Sequence, residues 1–248
     1  MSQTFGFVLL SGGIDSSTAV TFAISQLNPE NIECVGIDYG QRHSRELFYA
    51  GEVAHYYGLP YSTLKILGMP KAMLTDASQE IPNVSYADLP YGISPTYVPF
   101  RNGQLLSKIA GYAQARLRDL DQQETETKDK DRSGDLSISI SDNSAIIYFG
   151  AHAEDAENWA YPDCTPEFIG AMANAIYLGT YRRVRLVAPW QHMTKDEIIS
   201  WGSNHDTPYR LTWSCYRGGE LHCGTCPTCR ARRKAFYKAQ VVDPTQYA

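Results

Sequence analysis

Seven residues, Ser11-Gly12-Gly13-Ile14-Asp15-Ser16-Ser17, constrain the fold more than any other part of the chain, because they join two segments of different periodicity. Before them, Phe5 to Leu10 is almost wholly apolar and reads as a buried strand; after them, Thr18 to Ser25 carries apolar residues at helical spacing. A strand, a paired-glycine turn and a helix start make the chain rise along a sheet and fold back over it. The turn gathers backbone N–H groups at the positive end of a helix, a geometry suited to phosphate or pyrophosphate. Gly12 and Gly13 allow a ligand to approach the backbone closely, and Ser11, Ser16 and Ser17 add hydroxyl donors. Asp15 is the anomaly. A bare carboxylate repels phosphate unless a divalent cation lies between them.

The rest of the chain repeats the alternation. Strands are predicted at Ile32–Asp38, Tyr61–Leu67, Ala145–Phe149 and Val184–Val187, and helices at Ser44–Tyr57 and Asn102–Arg118. A further helix is opened by Thr165 with Pro166 in its first turn, and another by the capping-box sequence Thr194-Lys195-Asp196-Glu197. A basic helix follows from about Pro227. Gly68 to Pro99, with five prolines, reads as a long irregular loop. Such alternation predicts an α/β fold, a Rossmann-like parallel sheet with helices on both faces. Parallel strands deliver their ends to one edge, so Ser11–Ser17, Asp38–His43 and Gly150–Cys164 should converge there.

At 248 residues and 43% hydrophobic, the chain can form one domain, residues 1–248. No apolar run approaches the roughly 20 residues that span a bilayer, and the start lacks a basic, then apolar leader, so a cytoplasmic protein without a membrane partner is expected. Net charge is -5, and Arg118 to Asn143 holds eight acidic against four basic residues. Residues 119–144 are therefore read as an acidic, disordered surface insertion, with a hairpin around Leu136–Ile140 as the alternative. The near-neutral remainder is a poor partner for nucleic acid.

Of six cysteines, Cys215, Cys223, Cys226 and Cys229 fall within one short stretch. Two overlapping CxxC steps suit a closed tetrahedral thiolate site for one structural Zn²⁺, within a C-terminal segment taken as 205–240. An Fe–S cluster is the alternative; a redox pair would leave two thiols over. His222 could replace one sulfur, and Arg230, Arg232, Arg233 and Lys234 either offset the thiolate charge or form a solvated helix face.

The SGGxDS run resembles the loop of the PP-loop ATP pyrophosphatases, which split ATP between its α and β phosphates and attach AMP to a substrate oxygen. Together with the cysteine cluster, Tyr39-Gly40-Gln41-Arg42-His43, Thr96 to Asn102 and Tyr161-Pro162-Asp163-Cys164, it makes the chain resemble the QueC family from Phe5 to about Tyr237, with 119–144 left out. The resemblance implies an ATP-dependent C–N ligase of queuosine biosynthesis. Such an enzyme converts 7-carboxy-7-deazaguanine and ammonia to the nitrile through adenylated acid and amide, uses Mg²⁺ with ATP, and forms a homodimer.

The implied roles are specific. Leu10, Ser11, Gly12, Gly13, Ile14, Asp15, Ser16, Ser17, Thr18, Ala19 and Val20 would hold ATP, and Asp15 would position magnesium. Arg42 and Arg101 would neutralise pyrophosphate or the substrate carboxylate, and Asn102 and Asp163 would read the deazaguanine edge; Asp15, Arg101 and Asp163 form the catalytic set. Plainer roles compete: Arg42 as a surface ion pair, Asn102 as a helix cap, Asp163 as a turn former, Cys34 and Cys164 as buried residues, and His43 and His152 as solvated loop histidines. Phe100 stands where the family stretch has glycine, which bears on the exact substrate more than on the reaction class. A ligase that stops at an amide with a different amine is the nearest rival function. A tRNA thiolase would need an RNA-binding module, a GMP synthetase a glutaminase, and an adenylylsulfate reductase a free redox cysteine. A non-catalytic nucleotide sensor would have no use for Asp15.

Overall fold

A computed structural model of the chain describes residues 2–40, 45–67, 97–128 and 142–248. Strands β1 (Thr4–Leu9), β2 (Ile32–Asp38), β3 (Tyr61–Lys65), β4 (Ser144–Tyr148) and β5 (Val184–Val187) form one sheet in the order β3-β2-β1-β4-β5. Every pairing is parallel. The chain winds outward from β1 through β2 and β3, then returns to the other side of β1 for β4 and β5. The crevice between β1 and β4 is therefore the topological switch point, where such sheets take their ligands.

Helices α1 (Ile14–Gln26) and α2 (Arg45–Tyr56) lie against one face, and α3 (Arg101–Lys128) and α5 (Pro166–Gly179) against the other, with the single turn α4 (Ala153–Ala156) between them in sequence. Strand β1 shows why both faces are covered. Phe7 and Leu9 join a core with Leu106, Ile109 and Ile176, whereas Val8 and Leu10 join a core with Val20, Ala50 and Val53. Alternate side chains point to opposite faces, so a strand apolar on both faces, as β1 is here from Phe7 to Leu9, needs a helical layer on each. Helices α6 (Lys195–Ser203) and α7 (Pro227–Lys238) form a third cluster through Ile198, Ile199 and Phe236, which reaches Ile14 at the start of α1.

Strands β2 and β5 occupy their predicted residues. Thr165 Oγ1 caps α5 by accepting the Phe168 N–H at 3.3 Å, and at α6 the Thr194 N–H donates to Glu197 Oε2 at 2.8 Å. Helix α3 departs from expectation. It runs ten residues beyond Arg118, into the stretch read as a disordered insertion. Its continuation is anchored: Asp121, 2% exposed, takes both arms of Arg183 at 2.6 and 2.9 Å, and Arg183 Nε donates to the Asn143 carbonyl. The alternative hairpin at Leu136–Ile140 and the irregular segment 68–96 lie outside the described residues. Among the described residues, no helix is long and apolar enough to cross a membrane.

Candidate active site

The Ser11–Ser17 loop leaves β1 at the switch point and enters α1. Gly12 has φ 78°, and a Cβ on it would lie 2.5 Å from the Glu46 carbonyl oxygen and 2.8 Å from the Ala50 nitrogen. The loop thus rests directly on the backbone of α2, and only glycine fits. From the other side Gly150, just past β4, comes so close that a Cβ there would meet the Ser16 nitrogen at 2.8 Å. Within the loop, Ser16 Oγ accepts from the Ser11 N–H at 3.2 Å and lies 3.0 Å from Ser11 Oγ.

Two polar atoms in this first turn are buried without a hydrogen-bond partner among the described residues: Asp15 Oδ1 and Ser17 Oγ. An orphaned carboxylate oxygen beside open helical N–H groups fits a site meant for a cation and an anion together. The other oxygen, Oδ2, pairs with Lys195 Nζ at 3.2 Å and lies 3.7 Å from His152 Nε2. The Trp190 indole N–H donates to the Asp15 carbonyl at 3.1 Å.

Lys195 is a residue that the sequence reading missed. As the first residue of α6 it puts a cation at the wrong end of a helix dipole, and that misplacement was the available signal. Burial opposes its charge, but Asp15, Asp155 and Glu154 outweigh burial and hold the ammonium above the ordinary lysine value. His152 corrects a second expectation. It is not solvated but 3% exposed, and Nε2 faces Asp155 Oδ2 at 3.3 Å. Neither ring nitrogen makes an aligned hydrogen bond among the described residues.

Arg101, Asn102 and Asp163 come together at the start of α3. The Asn102 N–H donates to Asp163 Oδ2 at 2.9 Å, and Asn102 Nδ2 donates to the Asp163 carbonyl and to Cys164 Sγ, each at 3.1 Å. Asp163 therefore caps α3, and the Asn102 amide holds the Asp163–Cys164 turn. The Arg101 guanidinium lies among Tyr39, Tyr216, Cys164 and Asp163; burial opposes its charge, and these groups favour it and push it above the usual arginine value. Burial also raises the Glu46 carboxyl, which Arg101 partly offsets. The Cys164 thiol is pushed up by burial first and by Asp155 and Asp163 next, the opposite of an activated nucleophile. Arg42 and His43 lie outside the described residues.

Phe100, before Arg101, has φ 54°. That is the left-handed region glycine favours, a physical reason for glycine in the family stretch. Its ring lies over Gly103, where any Cβ would strike it, and meets Phe168 edge-on at 5.7 Å.

The sulfurs of Cys215, Cys223, Cys226 and Cys229 all lie within 4.8 Å of one another, and all four cysteines are free. Tetrahedral zinc with Zn–S near 2.3 Å sets sulfurs about 3.8 Å apart, and Cys223 and Cys229 lie at 3.9 Å. The donor set fits. His222 is not one of the donors, because its Nε2 accepts the Ser214 N–H at 3.0 Å. Of the basic residues beyond, Arg232 is 1% exposed and binds Asp243, Thr212 and the Tyr209 carbonyl, which makes it a structural hub. The segment touches the loop directly: the Trp213 N–H donates to the Gly12 carbonyl at 2.8 Å, and the Trp213 ring stacks on Tyr49 of α2.

The chain matches the family model described as "Queuosine biosynthesis protein QueC" over residues 6–131 and 136–240. That match runs through 119–131, which the motif resemblance leaves out and whose first part forms the last turns of α3. A 7-cyano-7-deazaguanine synthase of Thermoplasma acidophilum is 39% identical over 253 residues, covering 100% of this chain and 93% of the relative. One from Paracoccus denitrificans is 36% identical over 247 residues, covering 97% and 91%.

Proposed function

Because the chain belongs to the QueC family, we propose that it is a 7-cyano-7-deazaguanine synthase, an ATP-dependent ligase that turns the carboxylate of 7-carboxy-7-deazaguanine into a nitrile with ammonia. The observation that carries this reading is the paired-glycine loop at the β1–β4 switch point, with Asp15 Oδ1 buried and unpartnered beside open helical N–H groups. A carboxylate is a poor electrophile. Its oxygen attacks the α-phosphorus of ATP, pyrophosphate leaves, and ammonia displaces AMP to give the amide. A second adenylation, on the amide oxygen, lets AMP and protons depart and leaves the nitrile.

The chain's own groups serve these steps by position. The N–H groups and hydroxyls of the loop bind phosphate oxygens. Asp15 and its orphaned oxygen would hold magnesium, which when bound neutralises polyphosphate charge. Arg101, a permanent cation in a mostly enclosed setting, suits the substrate carboxylate through a bidentate fork. Asp163 and Asn102 hold that arginine's turn and border the position of the base; because their groups already bond one another, reading the base edge falls to what Asp163 has left over. Cys164, with its thiol held neutral, is not needed as a nucleophile.

The thiolate cluster is assigned one structural zinc, since four protein sulfurs leave no position for a catalytic water. Work in the cytoplasm and a homodimeric assembly follow the family resemblance, and the substrates are small molecules rather than nucleic acid. Residues 1–248 act as one domain, with 205–240 as the metal-binding part.

The test is an incubation with 7-carboxy-7-deazaguanine, ATP, Mg²⁺ and ammonium, with products read by mass. Nitrile is expected from the wild type, and Asp15→Ala should lose most of it. A product stalled at the amide would favour the rival ligase. Equal nitrile from both proteins would remove the role given to Asp15.

A further inference from the structure

We propose that Lys195 is a pyrophosphate-binding residue, stored on Asp15 until a nucleotide and its divalent cation arrive. The inference deepens the function above and rests on its nucleotide reading. Lys195 reaches from the first turn of α6 to the first turn of α1, where Nζ lies 3.2 Å from Asp15 Oδ2. Its side chain is only 18% exposed, and its backbone N–H is held by Glu154 Oε2 at 3.1 Å. The ammonium is therefore aimed at the loop by its own helix and does not sweep through solvent.

Two observations separate this from an ordinary ion pair. The first is the surplus of negative charge. Asp15, Asp155 and Glu154 all act on one lysine, so the pocket as it stands would repel a polyphosphate. The second is the set of unsatisfied atoms beside the pair: Asp15 Oδ1, Ser17 Oγ and His152 Nδ1 are buried without hydrogen-bond partners among the described residues. A finished structural salt bridge satisfies its surroundings; this one leaves polar atoms waiting. A divalent cation taking up the Asp15 carboxylate would release the ammonium beside the first turn of α1, an end of a helix that favours anions. A lysine is a compact point charge with rotatable donors, suited to a leaving group whose oxygens change place during the reaction.

The test is calorimetry on the zinc-loaded full chain with Mg²⁺, using α,β-methylene-ATP, inorganic pyrophosphate and AMP as probes. Wild type, Lys195→Met and Lys195→Arg are compared. Lys195→Met should bind the analogue and pyrophosphate about tenfold to a hundredfold more weakly, the range for a lost charge-assisted hydrogen bond. AMP should bind it as it binds the wild type, and Lys195→Arg should recover most of the pyrophosphate affinity. Lys195→Gln serves in place of the methionine variant should that one not fold. Equal pyrophosphate binding by wild type and the neutral variants overturns the role of Lys195 and leaves the nucleotide reading intact. Equal losses for AMP and pyrophosphate also overturn it, because they indicate a damaged loop. Failure of the wild type to bind any probe sinks the nucleotide reading itself.

Discussion

Two helices of this chain begin beside a residue in the left-handed region, and they meet that demand in opposite ways. Before α1 the residue is Gly12 with φ 78°; before α3 it is Phe100 with φ 54°. At Gly12 conformation and space agree, since the backbone of α2 passes where any Cβ would sit. At Phe100 only the conformation is awkward. The residue is 52% exposed, Gly103 makes room for the ring, and Phe168 meets its edge. The lesson is that a positive φ alone makes glycine preferable, whereas a positive φ under a crossing backbone makes it obligatory. The paired-glycine loop is the rigid case and the stretch before Arg101 the permissive one.

The two entrances also depend differently on the thiolate segment. Gly12 lends its carbonyl to the Trp213 N–H, two residues from Cys215, and Trp213 stacks on the helix beneath the loop. The α3 entrance meets that segment through a side chain and not through its backbone: Arg101 lies beside Tyr216, while the Phe100 N–H goes to the Tyr97 hydroxyl at 2.9 Å. The largest expected effect follows. Removing the zinc proposed for the four cysteines, by chelation or by Cys226→Ser, should withdraw on the order of 10 kcal/mol of local folding energy. The melting midpoint should fall on the order of ten degrees or more. Hydrogen exchange should quicken at 12–17 and 212–216 while 104–113 of α3 stays protected. Equal quickening in both places would erase the distinction between the entrances.

A smaller effect is expected at the loop itself. Gly12→Ala combines the left-handed penalty with a close backbone contact and should cost about 3 kcal/mol, read as a lower denaturant midpoint at unchanged slope. A loss below about 1 kcal/mol would mean that α2 yields easily and that the loop is not rigid.

Much of this arrangement was legible in the sequence because its causes are local. Apolar runs bounded by turn residues located β2 and β5 to the residue, and Thr165-Pro166 and Thr194 to Glu197 marked helix starts by capping chemistry. The glycine pair announced the loop. What stayed hidden depends on partners distant in sequence. Helix α3 loses its apolar stripe beyond Arg118, so composition alone suggested disorder. Yet Asp, Glu, Gln and Lys include strong helix formers, and the decisive anchor is Asp121 with Arg183, 62 residues away. The Lys195–Asp15 pair joins residues 180 apart in the sequence. His152 looked like any loop histidine until the sheet put it beneath the loop of a neighbouring strand.

The smallest expected effect isolates the conformational half of the comparison. Phe100→Ala and Phe100→Gly both remove the ring, its edge contact with Phe168 and its cover over Gly103. They differ only in whether a Cβ must occupy φ near 54°. Left-handed geometry costs an L-residue about 1–2 kcal/mol, and glycine gives back about 0.4–1 kcal/mol of that through the entropy of its unfolded chain. The glycine variant should therefore be the more stable of the two by about 1 kcal/mol, a melting difference of about 2–4 °C. If the alanine variant is equally stable, the turn before α3 can relax out of the left-handed region. Phenylalanine would then be tolerated because the backbone moves, and not because the ring found room. Arg101 sits one residue on, so that relaxation would also shift the guanidinium proposed to grip the substrate, and turnover by the two variants would part even though their stabilities do not.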